Sequence, residues 1–362
     1  METTVTYPNI QSRLLMHRVA RSQPTAPVQP SPKVLAVTRW LERKLLGLDT
    51  TVVPLDRPVF LLSMPRSGTT MLQDTLCAHE GIAFVNNVMN RFPTTFCLVE
   101  SMRKGLGLDF EAQRYIGDSV TVSPGSPSGG LTFWGDWFHL DPFSLAYRPI
   151  QASDFSDKDI ERIHDMVKQV IWSYGQPWRR FFMKMIAVYP YAELIPHLFP
   201  DARILHVVRD GRQAANSMCK QLDRWIEHQK ANGLYRRDPV HGDQFFVPYP
   251  RFPKLAENAE RFGLHDVRTA AHLWNDAANH LRTVRDGFRH FYQVRYEDIL
   301  ANPEHELNGI LEFLELPPAS PENRNFWDRV KRIGHVQHVN RYAQFDVVEE
   351  ICRDNLEYYG YL

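Results

Sequence analysis

The apolar positions of this chain alternate between two periods. Short unbroken runs mark strands buried on both faces, and three-to-four-residue spacings mark helices. Val59 to Leu62 is the first such run, and Ile204 to Val208 the second. Arg179 to Ile186, ending near Lys184, and Tyr292 to Arg295 read as further strands. Between them lie helical patterns. Thr69 onward places Met71, Leu72, Thr75 and Leu76 on one face. Asp154 to Gly175 carries Ile160, Ile163, Val167, Val170 and Ile171, with Asp154 or Ser156 as cap. The segment after Val208 is helical through Ser217 to about Gln229. Leu264 to Arg285 follows with Asp266 as cap, and then Pro303 to Leu316. Lys33 to Leu46 reads as an amphipathic helix. Val37, Trp40, Leu41 and Leu45 lie on one side of it, and Arg39, Glu42 and Arg43 on the other. The helix is expected to pack beside the loop that follows Leu62.

Strands alternating with helices predict an α/β fold, a central and mostly parallel sheet flanked by helices. Residues 1–32 form an arm and a linker in which Pro24, Pro27, Pro30 and Pro32 forbid helix. Residues 33–362 form one domain. Two segments are rich in Gly, Pro and aromatics, about 80–150 and 231–262, and read as pocket or lid insertions. Within the first, Thr132 to Phe143 carries Phe133, Trp134, Asp136, Trp137, Phe138, His139 and Asp141. It reads equally as an acceptor-pocket wall or a buried apolar patch.

Candidate chemistry sits where strands end. Pro65-Arg66-Ser67-Gly68-Thr69-Thr70 joins the first strand to the first of these loop helices. A strand, a tight loop and a helix N-terminus bind anions through unpaired amides and the positive end of the helix dipole. Ser67, Thr69 and Thr70 add hydroxyls, and Arg66 adds a charge. A nucleotide-triphosphate loop has Gly, four residues, then Gly-Lys-Ser/Thr. Here Ser63 stands at the first glycine and Thr69 at the lysine, so the anion expected is less charged than a triphosphate and held without metal. A second strand, basic turn and helix follow at Arg209-Asp210-Gly211-Arg212, with Ser217 two helical turns on.

With these residues in view the chain resembles the sulfotransferases, and the likeness runs over about residues 58–345. Its first anchor, Pro65 to Thr70, looks like their 5′-phosphosulfate loop. The resemblance implies the fold, a P-loop-like three-layer sandwich. It also implies the donor, 3′-phosphoadenosine 5′-phosphosulfate (PAPS), with the product 3′,5′-bisphosphoadenosine (PAP). It implies that Arg209 and Ser217 hold the donor's 3′-phosphate. The tyrosine of Tyr296-Glu297-Asp298 then lies against adenine, and Arg341 in the closing segment reaches the 3′-phosphate. Lys184 contacts the transferring group. No metal is implied. The acceptor is a small molecule bearing a hydroxyl or amine.

The departures concern the general base. One branch of the family has a histidine two residues after the lysine, where this chain has Ile186. Another has a glutamate soon after the loop helix, where Asn86 and Asn87 stand. Asp136 and His139 remain as candidate bases, with Glu80 and Glu100 behind them. A P-loop-like kinase and a non-catalytic PAP-binding protein stay open as alternatives.

Charge and composition trim the partners. The 42 basic residues equal the 42 acidic ones, which argues against a general nucleic-acid binder. Cys77, Cys97, Cys219 and Cys352 have no metal or redox spacing. They read as free thiols in a reducing compartment. No run approaches the roughly 18 apolar residues of a membrane span. A cytoplasmic protein without membrane association is expected, its self-association left open.

Overall fold

The computed structural model describes residues 5–14, 31–113, 120–238, 242–334 and 344–362. Most of the proline-rich segment, residues 15–30, and Arg341 lie outside the described residues.

Five strands form the central sheet: β1 (Val59–Leu62), β2 (Ile82–Phe84), β3 (Arg180–Lys184), β4 (Arg203–Val208) and β5 (His290–Arg295). Their order is β5-β4-β1-β3-β2. Phe60 lies opposite Ile204 and Leu61 opposite Leu205 in one parallel pair, and Tyr292 lies opposite Leu205 in the next. β2 and β3 also run parallel. Every residue of β1 and β4 is buried. Helices cover both faces of such a sheet, and that is why these strands read as unbroken apolar runs.

The main helices are α1 (Pro32–Leu45), α2 (Thr69–Leu76), α3 (Phe96–Gly105), α4 (Asp157–Trp172), α5 (Gly211–Asn232), α6 (Val267–Val284), α7 (Tyr296–Ala301) and α8 (Phe345–Tyr358). Their starts follow from capping. Ser156, one of the two expected caps, closes a capping box with Asp159 at α4. Asp266 accepts from Arg268 N at α6, as the sequence predicts.

The chain divides into two compact units. The first comprises Met1–Asp56, Gly81–Asp136 and Phe155–Met183. In it α4 packs on β2 and α1 packs on α3. The second comprises Arg57–Glu80, Trp137–Asp154 and Lys184–Leu362. Here α5, α6 and α8 pack on one another.

In the first unit the apolar side of α1 is exposed: Val37, Trp40 and Leu45 are 58%, 60% and 66% exposed. The buried residue of this helix is Glu42, whose carboxylate accepts from Leu98 N at 2.8 Å. α1 is thus anchored by an acid at the N-terminus of α3, where the amides have no helical partner and the dipole favours negative charge. Burial raises the Glu42 carboxyl, and the amides of Leu98 and Cys97 offset part of that.

The aromatic segment resolves toward the core. Phe133 and Trp134 are 1% exposed and Phe138 2%. Phe133 packs on Phe96 and Phe181, and Trp134 Nε1 points at Met183 Sδ, 2.7 Å away. In the second unit Phe138 packs on Tyr191. Residues 141–144 are held there by Arg251, which donates to Pro142 O at 2.8 Å and Ser144 O at 2.6 Å. The segment 231–262 supplies a hairpin, Arg236–Asp238 with Gly242–Gln244, and the helix Leu255–Phe262.

Candidate functional site

Three adjacent parallel strands deliver the site. β1, β4 and β5 end at the same edge of the sheet, and neighbouring strands lie only about 4.8 Å apart. The residues that follow them therefore meet. After β1 come Arg66 to Thr70, after β4 comes Arg209, and after β5 comes Tyr296.

The first loop is shaped by its backbone. Arg66 and Gly68 both have left-handed φ, 70° and 76°. Gly68 caps α2 without a side chain, so no side-chain hydrogen bond closes the helix, and the first turn holds no acid. The helix start thus keeps the amides and dipole that favour an anion. Ser63 Oγ ties the loop down by donating to Val207 O on β4 at 2.6 Å. Ser67 is 1% exposed, and its Oγ has no hydrogen-bond partner among the described residues. Thr69 is buried beside it. Lys184, at the end of β3, brings its Nζ to 3.5 Å from Thr70 Oγ1.

The second turn joins the first directly. Arg209 Nη1 donates to Arg66 O at 2.6 Å, and Arg66 Nε donates to Ser217 Oγ at 3.1 Å. Arg209 Nη2 donates to Gln213 Oε1 at 3.1 Å, while its buried Nε finds no partner among the described residues. The Tyr296 ring closes the cluster, with the Arg209 guanidinium 4.9 Å from its centroid. Its edge lies on Gly68, where a Cβ would stand 2.3 Å from Tyr296 Cδ2 and Cε2. Arg66, Ser67, Gly68, Arg209, Ser217 and Tyr296 thus form one constellation.

Further residues around these motifs hold this constellation. Asp210 caps α5 by accepting from Arg212 N at 2.9 Å. Trp274 packs so closely on Gly211 that a Cβ there would lie 2.9 Å from the indole. Glu297 accepts from Asp210 N at 3.2 Å and from Tyr361 OH at 2.8 Å. The Tyr361 hydroxyl also lies 3.3 Å from Val208 O. Burial, and after it the Glu297 carboxylate, pushes the Tyr361 phenol well above its ordinary range. Glu297 lies inside the Tyr-Glu-Asp motif, which was a signal; Tyr361 had none.

Beneath the loop, Met64, Ser67, His206, Arg209, Trp274 and Tyr359 line a small cavity. His206 lies 3.0 Å from Gln293 Oε1 through Nδ1 and 3.3 Å from Tyr189 OH through Nε2. An amide oxygen only accepts, so Nδ1 carries the proton and neutral Nε2 accepts from the tyrosine. Burial lowers the imidazole to about 4. The unfolded chain takes up this proton near pH 6.5, while the native state resists until about 4. Stability from this group is therefore present above the unfolded value and is lost as pH falls. Between pH 7 and pH 5 the loss should be about 2 kcal/mol. Urea unfolding at both pH values, compared with His206→Gln, checks it: the variant should lack that share of the slope.

Asp136 caps the C-terminus of Leu131–Gly135 and is exposed. His139 is exposed, with φ at 47°. Neither side chain makes a hydrogen bond or ion pair among the described residues. Glu100 is buried against Arg103 and Asn86. Burial pushes its carboxyl up, but the Arg103 hydrogen bonds and charge outweigh this and hold it below the ordinary value. Glu80 accepts from Ser320 N and Asn323 Nδ2, both at 2.7 Å, and its carboxyl is likewise held low. Both are poor proton acceptors.

The model of the sulfotransferase family designated Sulfotransfer_3 matches residues 58–238 and 235–321. The chain belongs to the sulfotransferase family. Its matched span contains the anion loop, the Arg209 turn and Tyr296. Among solved structures it is similar to sulfotransferase STF9 from Mycobacterium avium. The TM-score is 0.57 at 17% identity, over 89% of this chain and 81% of that one. It is also similar to sulfotransferase STF1 from Mycobacterium tuberculosis H37Rv, with a TM-score of 0.54 at 14% identity, over 89% and 82%. These likenesses concern the fold. An uncharacterized protein of Aquifex aeolicus (strain VF5) is 21% identical over 274 residues, 73% of this sulfotransferase-family chain. The chain spans 26% of that relative's length.

Among the described residues no helix is long and apolar enough to cross a membrane. Nor, among them, is there a group of three or more His, Cys, Asp or Glu able to hold a metal ion. All four cysteines are free thiols.

Proposed function

We propose that this sulfotransferase-family protein moves a sulfuryl group from PAPS to a hydroxyl or amine of a small-molecule acceptor and releases PAP. One observation carries the reading: Arg66, Arg209 and Ser217 form a single hydrogen-bonded cluster where two strands end. A ligand with anionic groups at both ends fits such a cluster better than one with a single charged end. The residues suit it in detail. Ser67 Oγ and Arg209 Nε are buried donors without partners, and a buried unsatisfied donor is costly until an acceptor reaches it. Gly68 leaves the loop without a side chain at the point of closest approach.

In this reading Arg66, the Ser67 to Thr70 amides and the start of α2 hold the 5′-phosphosulfate end. Arg209 and Ser217 hold the 3′-phosphate, and Tyr296 lies against the adenine. Arg341 is assigned to the 3′-phosphate from the sequence alone. When bound, the donor supplies a sulfuryl group on a phosphate leaving group. Arg66 and the helix dipole stabilise the charge that collects on the leaving oxygen as the acceptor attacks in line. Lys184 hydrogen-bonds the transferring group from the end of β3. The acceptor's proton passes to a base, for which Asp136 and His139 are the candidates.

A thermal shift comparison tests the reading. PAP at one hundred times its dissociation constant should stabilise the protein by about 2.7 kcal/mol through mass action. ATP with Mg²⁺ should do much less. A shift with ATP–Mg²⁺ alone would move the protein to the kinases. A PAP shift without turnover across an acceptor screen would leave a nucleotide-binding protein.

A further inference from the structure

The exposed side of α1 is built for a surface, and its chemistry names the surface. Twelve large apolar residues are exposed among the described residues. Seven of them, Ile10, Leu14, Val34, Val37, Trp40, Leu45 and Val52, fall in the first 52 positions. An evenly scattered set would need no explanation; this one is concentrated in one stretch.

Four of the seven lie on α1. At about 100° per residue, Lys33, Val37, Trp40 and Lys44 project from one strip of that helix. Val34, Leu41 and Leu45 flank the strip on one side and Arg43 on the other. The opposite side carries Glu42, bonded to Leu98 N at 2.8 Å on α3. The helix is therefore held by its back and presents a mixed apolar and basic front.

The charge on and beside that front has one sign. Lys33 and Lys44 lie in the strip and Arg43 flanks it, while Arg39 sits toward the back; all four are exposed. None forms a salt bridge among the described residues. Glu42, the one acid of the helix, is 3% exposed and faces inward. Arg39 and Arg43 feel its carboxylate through space, but it offers nothing to a partner outside. Two copies of this front would meet cation to cation, which disfavours self-association through it. An anionic partner is complementary.

Tryptophan and lysine side by side discriminate further. An indole prefers the boundary between headgroups and acyl chains, where its ring is apolar and its N–H stays wet. Lysine stems lie along apolar surface while the ammonium reaches out to phosphates. Basic residues combined with exposed Trp, Val and Leu on a surface helix are the composition of interfacial membrane helices.

We propose that α1 docks the protein onto an anionic lipid surface, lying in the interface with Val37 and Trp40 inserted and Lys33 and Lys44 among the headgroups. This is peripheral attachment, and it revises the sequence-based expectation of no membrane association. It does not rest on the donor assignment above.

Co-sedimentation of the full chain with vesicles tests it. Vesicles in which about a third of the lipid is phosphatidylserine should bind the protein at least tenfold better than pure phosphatidylcholine. Raising salt from about 0.1 M to about 0.5 M should release most of it. Trp40→Ser should weaken binding about tenfold, and Lys33→Ser and Lys44→Ser about fivefold each. All three side chains are exposed, so the variants should melt with the parent and keep its PAP-induced thermal shift. No binding to anionic vesicles overturns the proposal. So does binding that ignores lipid charge, or binding that survives Trp40→Ser and both lysine changes. Sedimentation velocity supplies the remaining arm: a dimer that Trp40→Ser dissolves assigns the face to a second copy instead.

Discussion

Gly68→Ala should abolish PAP binding, lowering affinity at least a hundredfold, while costing the fold only about 1–2 kcal/mol. Two separate effects converge on this position. The backbone there has φ at 76°, and an L-residue in the left-handed region costs about 1–2 kcal/mol. That cost falls on stability and is modest. The second effect is steric. The new Cβ would lie 2.3 Å from two ring carbons of Tyr296, far inside van der Waals contact. Either the ring or the loop must move. The ring rests over Arg209, and Arg209 holds the carbonyl of Arg66. Moving the ring therefore loosens the adenine contact and the 3′-phosphate residue together. Moving the loop misaligns the amides that receive the 5′ end. Calorimetric titration with PAP and urea unfolding separate the two effects. A Gly68→Ala protein that binds PAP within about threefold of the parent would mean that nothing approaches this glycine closely.

How much of this was legible in the sequence varies by element. β1 and β4 were readable because a strand buried on both faces carries no polar interruption, and their ends located Arg66 and Arg209. Ser156 and Asp266 were readable as caps because capping needs a particular side chain at a particular offset. The union of the two anion turns was less direct. It follows from the order β5-β4-β1, which places three strand ends side by side, and strand order is not written in local periodicity. α1 was legible as an amphipathic helix, but its docking contact was not, for a physical reason. Periodicity identifies an apolar side but not what that side meets, and the residue that actually docks the helix is the acid Glu42. The supports of the site were the least visible. Tyr361 reaches Val208 across 153 positions of sequence, and Gln213 reaches Arg209 with an amide that has no motif. No motif in the sequence picks out the base, because neither of the family's base positions carries a base here: Ile186, Asn86 and Asn87 stand there.

Arg66 and Arg209 should fail in different ways when removed, although they touch. Arg209 is 7% exposed and works before any chemistry begins. It spans Arg66 O, Gln213 and the Tyr296 ring. A buried arginine with an unused Nε offers a phosphate a charge-assisted hydrogen bond in low dielectric. Arg209→Ala should therefore weaken PAP binding about a hundredfold or more. The turnover that remains at saturating donor should fall far less. In the proposed reading Arg66 sits where negative charge grows during transfer. Interactions that strengthen only in the transition state raise kcat and leave ground-state affinity nearly alone. Arg66→Ala should lower kcat by about 10²–10³-fold, with PAP affinity changed less than tenfold. Arg66→Lys refines the test. It keeps the charge but loses the Nε that Ser217 accepts at 3.1 Å, and an ammonium does not reproduce the guanidinium fork. Its kcat should lie between those of the parent and the alanine variant. The decisive pattern is the crossing of the two effects, affinity lost at 209 and turnover lost at 66. Small and equal losses at both positions would mean that the two guanidinium groups do not grip opposite ends of one nucleotide.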